Sequence, residues 1–286
     1  MESSNRPALA AGMLEAVRPV NPVAPYIGGK RNLAERLGEL ISEIDHDTYV
    51  EPFIGMGGVF FRRRTRPKAE VINDINRDVS NLFRILNCHY PQFMDTLKFQ
   101  ITSRDQFERL VLMNPDSLTD MQRAARFLYL QRTSFGGKVT GQTFGVSPGV
   151  AGRFDVHKLA AHLEEVHERL SDVVIECLHW SEVIARYDRP GTLFYLDPPY
   201  WDCETDYGAG VFSKADFDRL ADVLSGIKGR FMLSINDAPE IRRIFAAFHC
   251  AEIETTYSIS DAGSQRVLEL IFSNIDPATR RQASLL

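Results

Sequence analysis

Hydrophobic positions along this chain follow two periods, and the switching between them outlines the architecture. Residues 48–53 form a short apolar run that ends in a glycine-rich turn over 54–58, and residues 69–73 form a second such run. After it, residues 76–86 place Val79, Leu82, Phe83 and Leu86 on one helical face. Strand and helix alternating at this distance make a βαβ unit, which requires a parallel sheet. From about 87 to 133 the period is helical only, and the pattern predicts helices over 93–99, 104–112 and 118–130. Residues 134–153 hold Gly136, Gly137, Gly141, Gly145, Pro148, Gly149 and Gly152 with no helical period, which predicts a hairpin or long loop. Alternation then resumes. Helices are predicted over 156–170, 181–186, 214–227 and 238–248, and strands over 173–177, 192–196, 230–235, 252–257 and 267–272. The simplest account is a doubly wound α/β domain built from 25–87 and 155–286, with a mainly helical insertion at 88–154. Residues 1–24 are an extension, poorly ordered or partly helical.

Composition narrows the class. At 286 residues, 44% hydrophobic and 25% charged, the chain can bury a large core. The four cysteines, Cys88, Cys177, Cys203 and Cys250, form no Cys-x-x-Cys pair, which favours reduced thiols in a cytoplasm over a disulfide scaffold or zinc site. No apolar run approaches the roughly 18–20 residues of a membrane helix, and Glu2, Arg6, Glu15 and Arg18 interrupt anything resembling a signal peptide. A cytoplasmic protein with no membrane partner is expected. The net charge of −5 argues against nonspecific coating of nucleic acid, but local field matters more than the sum. Between Met121 and Phe154 the cations Arg123, Arg126, Arg132, Lys138 and Arg153 occur with no acid among them. The run Arg62, Arg63, Arg64 reads as a solvated surface.

Candidate chemistry concentrates where strands end. Asp197-Pro198-Pro199-Tyr200 follows the apolar run Thr192 to Leu196, so an acid, two prolines and an aromatic cap a buried strand. Ligands in open α/β sheets bind at such carboxyl ends. Two prolines remove two donors and fix the chain, leaving carbonyls rigidly aimed. This suits attack by a conjugated amine such as adenine N6, whose lone pair is delocalised into the ring. Accepting both N6 hydrogens, on the Asp197 carboxylate and the Pro198 carbonyl, would favour an electron-rich nitrogen and stabilise the positive charge that develops on methylation. Tyr200 would stack on the base, an interaction worth roughly 1–3 kcal/mol in single-strand sites. Taken alone, the tetrapeptide also suits an ordinary strand-terminal turn.

Three further segments carry the argument past that alternative. Glu51-Pro52-Phe53-Ile54-Gly55-Met56-Gly57-Gly58 lies at a strand-to-helix turn where glycines admit a ligand to the backbone, yet it lacks the third glycine of a dinucleotide fingerprint. Asp74 closes the next strand, placed to bond ribose hydroxyls. Tyr26-Ile27-Gly28-Gly29-Lys30 precedes a helix.

In this order the four segments resemble the Dam-type N6-adenine DNA methyltransferases over roughly residues 25–273. The resemblance implies a Rossmann-like methyltransferase sheet carrying a DNA-recognition insertion, double-stranded DNA as partner, S-adenosyl-L-methionine as cofactor and no metal. It further implies that Tyr26, Lys30, Asp74 and the turn Pro52, Phe53, Gly55 and Gly57 hold the cofactor. Asp197, Pro198, Pro199 and Tyr200 would hold the target adenine, flipped out of the duplex, with Asp197 also near the cofactor's amino group. The methyl group would pass directly to N6.

The insertion departs from the family pattern. Leu130 to Gly137 resembles the family's Leu-Asn-Arg-x-x-Phe/Tyr-Asn-Gly signature, but Gln131 and Gly136 differ and the segment from Lys138 to Gly145 replaces its usual continuation. DNA contact is expected there through Arg132, Lys138, Gln142 and Arg153, with no recognition sequence implied. His157, His162 and His167 spiral around their helix and make no metal site. Asp202, Glu204 and Asp206 read as an acidic loop, and Trp201 either walls the base pocket or packs. The rival readings are an RNA or protein-glutamine amine methyltransferase, which often has Asn before Pro-Pro-Tyr, and a catalytically silent DNA-binding relative. A homodimer is compatible with the sequence, and nothing in it requires one.

Overall fold

Side chains alternate across each strand, so a strand buried on both faces feeds two cores at once. The computed structural model describes residues 14–30, 32–145, 149, 151–204, 208, 210–259 and 263–276. Its main sheet contains β1 (Thr48–Glu51), β2 (Ala69–Asn73), β3 (Val173–Glu176), β4 (Thr192–Leu196), β5 (Arg230–Asn236), β6 (His249–Ile259) and β7 (Gly263–Ser273). Their order is β3-β2-β1-β4-β5-β7-β6; the first five are parallel, and β7 runs against both β5 and β6. The chain leaves β1 toward one edge and returns to start β4 on β1's other side. That reversal opens a crevice between the carboxyl ends of β1 and β4.

Helices cover both faces. On one lie α1 (Ala34–Ser42), α2 (Arg77–Cys88), α3 (Tyr90–Leu97), α4 (Arg104–Leu112), α5 (Asp120–Thr133) and α6 (Val156–Arg169). Tyr49, Ile72, Leu193, Tyr195 and Met232 point from the strands into that layer. On the other lie α7 (Trp180–Tyr187), α8 (Lys214–Ser225) and α9 (Pro239–Ile244), which meet Val50, Val71, Phe194, Leu196 and Phe231. The doubly wound α/β reading holds. The helices of the insertion share the first core: Phe93, Phe107 and Leu128 belong to one apolar cluster with Phe60, Phe83 and Leu163. α5 starts on a capping box between Thr119 and Gln122, which fixes its entry.

Several local expectations are corrected. The last helix ends at Ile244 rather than 248, because Phe245 and Phe248 leave the helical path. Phe248 meets the Phe231 ring edge-on at 4.9 Å, and Phe245 lies 5.2 Å from Phe272. Their apolar character serves the sheet rather than a helical face. In the predicted hairpin, pairing reduces to a bridge between Ser134 and Phe144; residues 146–148 and 150 lie outside the described residues. The described part of the N-terminal extension is extended, not helical: Glu15–Ala16 pairs antiparallel with Thr65–Arg66. Residues 1–13 lie outside the described residues.

Arg63 departs from the solvated reading of its run, which the exposed Arg64 keeps. Arg63 is 1% exposed, stacks its guanidinium 3.7 Å from the centre of the Tyr49 ring and pairs with buried Glu70. Arg169 reaches the same carboxylate with two bonds of 2.6 and 2.8 Å. One acid is thus shared by two buried cations, a geometry favoured by the fork of the guanidinium. No helix among the described residues is long and apolar enough to cross a membrane.

Candidate active site

The crevice at the carboxyl ends of β1, β2 and β4 deepens into a cavity of about 580 Å³. From β1 come Glu51, Pro52 and Phe53; from β2, Asn73 and Asp74; from β4, Asp197 and Pro199. The segment ahead of α1 supplies Tyr26, Gly28 and Lys30. Asp197 and Asp74, predicted to serve acceptor and cofactor respectively, therefore open on one space. Of the other predicted cofactor residues, Gly55 lines the cavity and Gly57 does not. Gly57 has φ 72°, and a Cβ there would lie 2.4 Å from the Phe61 ring, so its glycine serves the turn and its packing. Pro198 and Tyr200 also lie off the cavity wall.

Asp74 is held by its own turn. Its two oxygens accept the Gly55 and Asn76 backbone N–H groups, each at 2.9 Å. Burial raises its pKa to about 6 even though both bonds favour the anion. Asn73 beside it donates to the Pro52 and Leu178 carbonyls and accepts from the Leu178 N–H, locking the ends of β1, β2 and β3 together.

The centre of charge is Lys30. Its side chain is 1% exposed, with Nζ 2.7 Å from Asp197 Oδ1 and 3.0 Å from Glu269 Oε1. The ammonium also donates to the Tyr200 hydroxyl at 2.7 Å and sits 4.2 Å from the centre of that ring. Tyr200 in turn donates to Glu269 Oε2 at 2.8 Å. The Asp197 side chain keeps 21% of its surface exposed. Burial pushes its pKa up to about 6; Lys30 opposes the rise and Glu269 adds to it.

Glu51 behaves differently. It is buried, accepts the Tyr49 hydroxyl at 2.7 Å and has its pKa pushed up to about 8, chiefly by burial. A folded-state pKa above the unfolded value gives stability that is complete below the unfolded pKa and drains away as pH rises to the folded one. Asp74 and Asp197 titrate around pH 6, so between pH 7 and 8 Glu51 is the one of these three that still holds most of its proton to release. We expect wild-type stability to fall across this window by about 1 kcal/mol on its account. Glu51→Gln flattens the decline. Thermal melts at pH 6, 7 and 8 check this, and equal slopes for the two proteins would refute it.

Of the four residues predicted to touch DNA, three are engaged inside the protein. Arg132 donates to the Val23 carbonyl at 2.6 Å and lines the cavity. Gln142 donates to Gln131 Oε1 at 2.7 Å and to the Lys138 carbonyl at 2.9 Å. Arg153 donates to the Ser134 carbonyl at 3.1 Å. Lys138 is exposed at the tip of the turn, near Phe135, itself 50% exposed. This turn is stitched to the cofactor side: the Ile27 N–H donates to the Gly137 carbonyl at 3.0 Å, and Gln131 reaches Gly137 and Pro25. Trp201 packs on Phe217 at 5.3 Å, Asp202 pairs with Lys214 at 2.5 Å, and Asp206 lies outside the described residues. His162 and His167 bond different backbone carbonyls, those of Asn21 and Leu86.

Residues 26–259 match the family described as D12 class N6 adenine-specific DNA methyltransferase. The chain belongs to that family. Its seven-stranded, mostly parallel sheet is accordingly a Rossmann-like methyltransferase fold. Among curated relatives, "Type II methyltransferase M.CviBI" of Paramecium bursaria Chlorella virus NC1A is 25% identical, with 83% of this chain and 91% of that protein covered. "Type II methyltransferase M1.LlaDCHI" of Lactococcus lactis subsp. cremoris is 27% identical, covering 89% and 95%. "DNA adenine methylase" of Haemophilus influenzae is 23% identical, covering 86% and 90%.

Residues the sequence reasoning did not single out complete the site. Glu269 was legible only as a lone acid inside the apolar strand from Val267 to Phe272. Trp180 and Phe212 line the cavity from α7 and the segment before α8, and no short motif announces either.

Proposed function

We propose that this DNA adenine methyltransferase moves the methyl group of S-adenosyl-L-methionine directly onto N6 of an adenine that has turned out of a specific site in duplex DNA. The observation that carries this reading is the opening of Asp74 and Asp197 on a single cavity. The cavity fits the cofactor in size, falling within the range of small-ligand sites. It fits in chemistry as well. Asp74 offers a carboxylate to ribose hydroxyls, and the buried Trp180 Nε1, which has no hydrogen-bond partner among the described residues, lies on a residue of the wall. Two carboxylates around one ammonium also suit a cationic ligand. Tyr26, Lys30, Phe53, Gly55 and Asp74 would hold the cofactor, which supplies an electrophilic methyl group.

The protein's own part is positioning. Lys30 occupies Asp197 Oδ1 and keeps the carboxylate oriented. The carboxylate accepts an N6 hydrogen, the Pro198 carbonyl accepts the other, and charge developing on the nitrogen is stabilised where it forms. Above pH 6 Asp197 is ionised and ready to accept. Tyr200, pinned through its hydroxyl, presents its ring to the flipped base, and extrusion costs a few kcal/mol. Lys138 and Phe135 mark the exposed edge of the turn that would face the duplex.

The test is transfer of tritiated methyl from the cofactor to duplex DNA, followed by single-molecule mapping of modified adenines. Label at N6 of adenine within one short sequence is expected. Label confined to RNA or to protein glutamine, or no transfer by the folded protein, would overturn the reading.

A further inference from the structure

Glu269 lies on the antiparallel strand β7, outside every sequence motif, yet it touches Tyr200 of the acceptor motif and Lys30, the partner of Asp197. Its side chain is fully buried, with Oε2 at 2.8 Å from the Tyr200 hydroxyl and Oε1 at 3.0 Å from Lys30 Nζ. A buried carboxylate survives only if it is paired and hydrogen-bonded, and Glu269 meets both conditions through Lys30 and Tyr200. Replacing it with a well-packed apolar residue would be the simpler way to fill a strand. Its pairing instead fixes the tip of Tyr200 and the head of Lys30 against one rigid β-strand.

Resting on the proposed adenine-N6 reading, we infer that Glu269 is a positioning residue for methyl transfer, holding the Tyr200 ring against the incoming base and aiming Lys30 at Asp197. It acts through these two side chains rather than on the reacting atoms. The arrangement has a second effect. The charged and titratable groups around Asp197 are Lys30 ahead of α1, Glu51 at the end of β1, Tyr195 on β4, Tyr200 after it, and Glu269 on β7. Among them Lys30 favours the Asp197 anion and Glu269 opposes it. Neutralising Glu269 therefore lowers the pH at which Asp197 ionises. A residue that only filled space would leave that pH unchanged.

The experiment compares single-turnover methyl transfer by wild type, Glu269→Gln and Glu269→Asp in the full chain across pH 5 to 9, with cofactor affinity by equilibrium binding. For Glu269→Gln the plateau rate falls by about a hundredfold, as a misplacement near 1 Å can produce. Its acid limb moves down by roughly one pH unit, and cofactor affinity stays within a few-fold of wild type. Glu269→Asp keeps the charge and shortens the reach, so its rate falls while its acid limb stays in place. A Glu269→Gln rate within about threefold of wild type, or a slow rate with an unmoved limb, overturns the inference. If Glu269→Gln does not fold, Glu269→Asp decides, and a wild-type rate for it overturns the inference equally. An inactive wild type sinks the parent reading and this one with it; an active wild type matched by both variants sinks the role of Glu269 alone.

Discussion

Replacing Asp197 by alanine leaves a folded protein whose methyl-transfer rate falls by about two to three orders of magnitude. The loss follows from geometry, because Asp197 is the side chain at the end of β4 that both faces the cavity and can accept an amine hydrogen. The survival of the fold is the less obvious half. Removing one member of a buried ion pair ordinarily strands the other. Here Lys30 keeps Glu269 at 3.0 Å, so its charge stays compensated. Asp197 is itself a poorly placed anion, with a pKa raised to about 6, mainly by burial. A raised folded pKa means that its contribution to stability is complete below the unfolded pKa and is gone above about pH 6. Thermal melts should therefore show the variant equal to wild type or better at pH 8 and relatively weaker near pH 4. A folded Asp197→Ala protein with near-normal turnover would end the assignment of this residue.

Lys30→Met reverses the pattern. It removes the ammonium that stands between Asp197 and Glu269, leaving two carboxylates facing each other in a buried space. Breaking such a pair costs about 3–5 kcal/mol, enough to lower the melting temperature by roughly ten degrees in a chain of this size. Without the cation Asp197, whose pKa already stands at about 6, resists ionisation more strongly, and its folded-state pKa rises further. Its penalty is then absent at acid pH and fully felt once pH has passed that raised value. The gap between Lys30→Met and wild type should accordingly be wide at pH 8 and narrow at pH 5. Transfer is lost along with stability, since Asp197 and Tyr200 lose their common anchor. Melting within a degree or two of wild type at pH 8 would show that Lys30 is not the counter-charge described above.

The sheet was legible in the sequence because its strands are short, apolar and bounded by turn residues. Thr192 to Leu196 and Ala69 to Asn73 were bounded correctly to the residue. The motifs at their ends were legible because chemistry crowds into a few neighbouring positions. Contacts between distant positions were not. Arg63 looked like one cation in a basic run, and only the fold brings Glu70 and Arg169 to it. Arg132 carried the right charge for a phosphate, but α5 ends facing the segment around Val23, and the guanidinium turns inward. The same holds for Glu269, whose partners lie in segments that no local pattern connects to β7. In the α9 region the apolar spacing matched a helix, although Phe245 and Phe248 are held by aromatic neighbours on β5 and β7.

The reversed direction of β7 has an outcome for assembly. The motif around Lys30 and the strand that carries Glu269 become neighbours only after β7 slots between β5 and β6. Contacts so far apart in sequence form late, after the local helices and the parallel core. A nascent or truncated chain could display every recognisable signature up to Tyr200 and still lack a seated lysine. Competence for catalysis is thus tied to completion of the sheet, and fragments ending before β7 should bind poorly and transfer nothing.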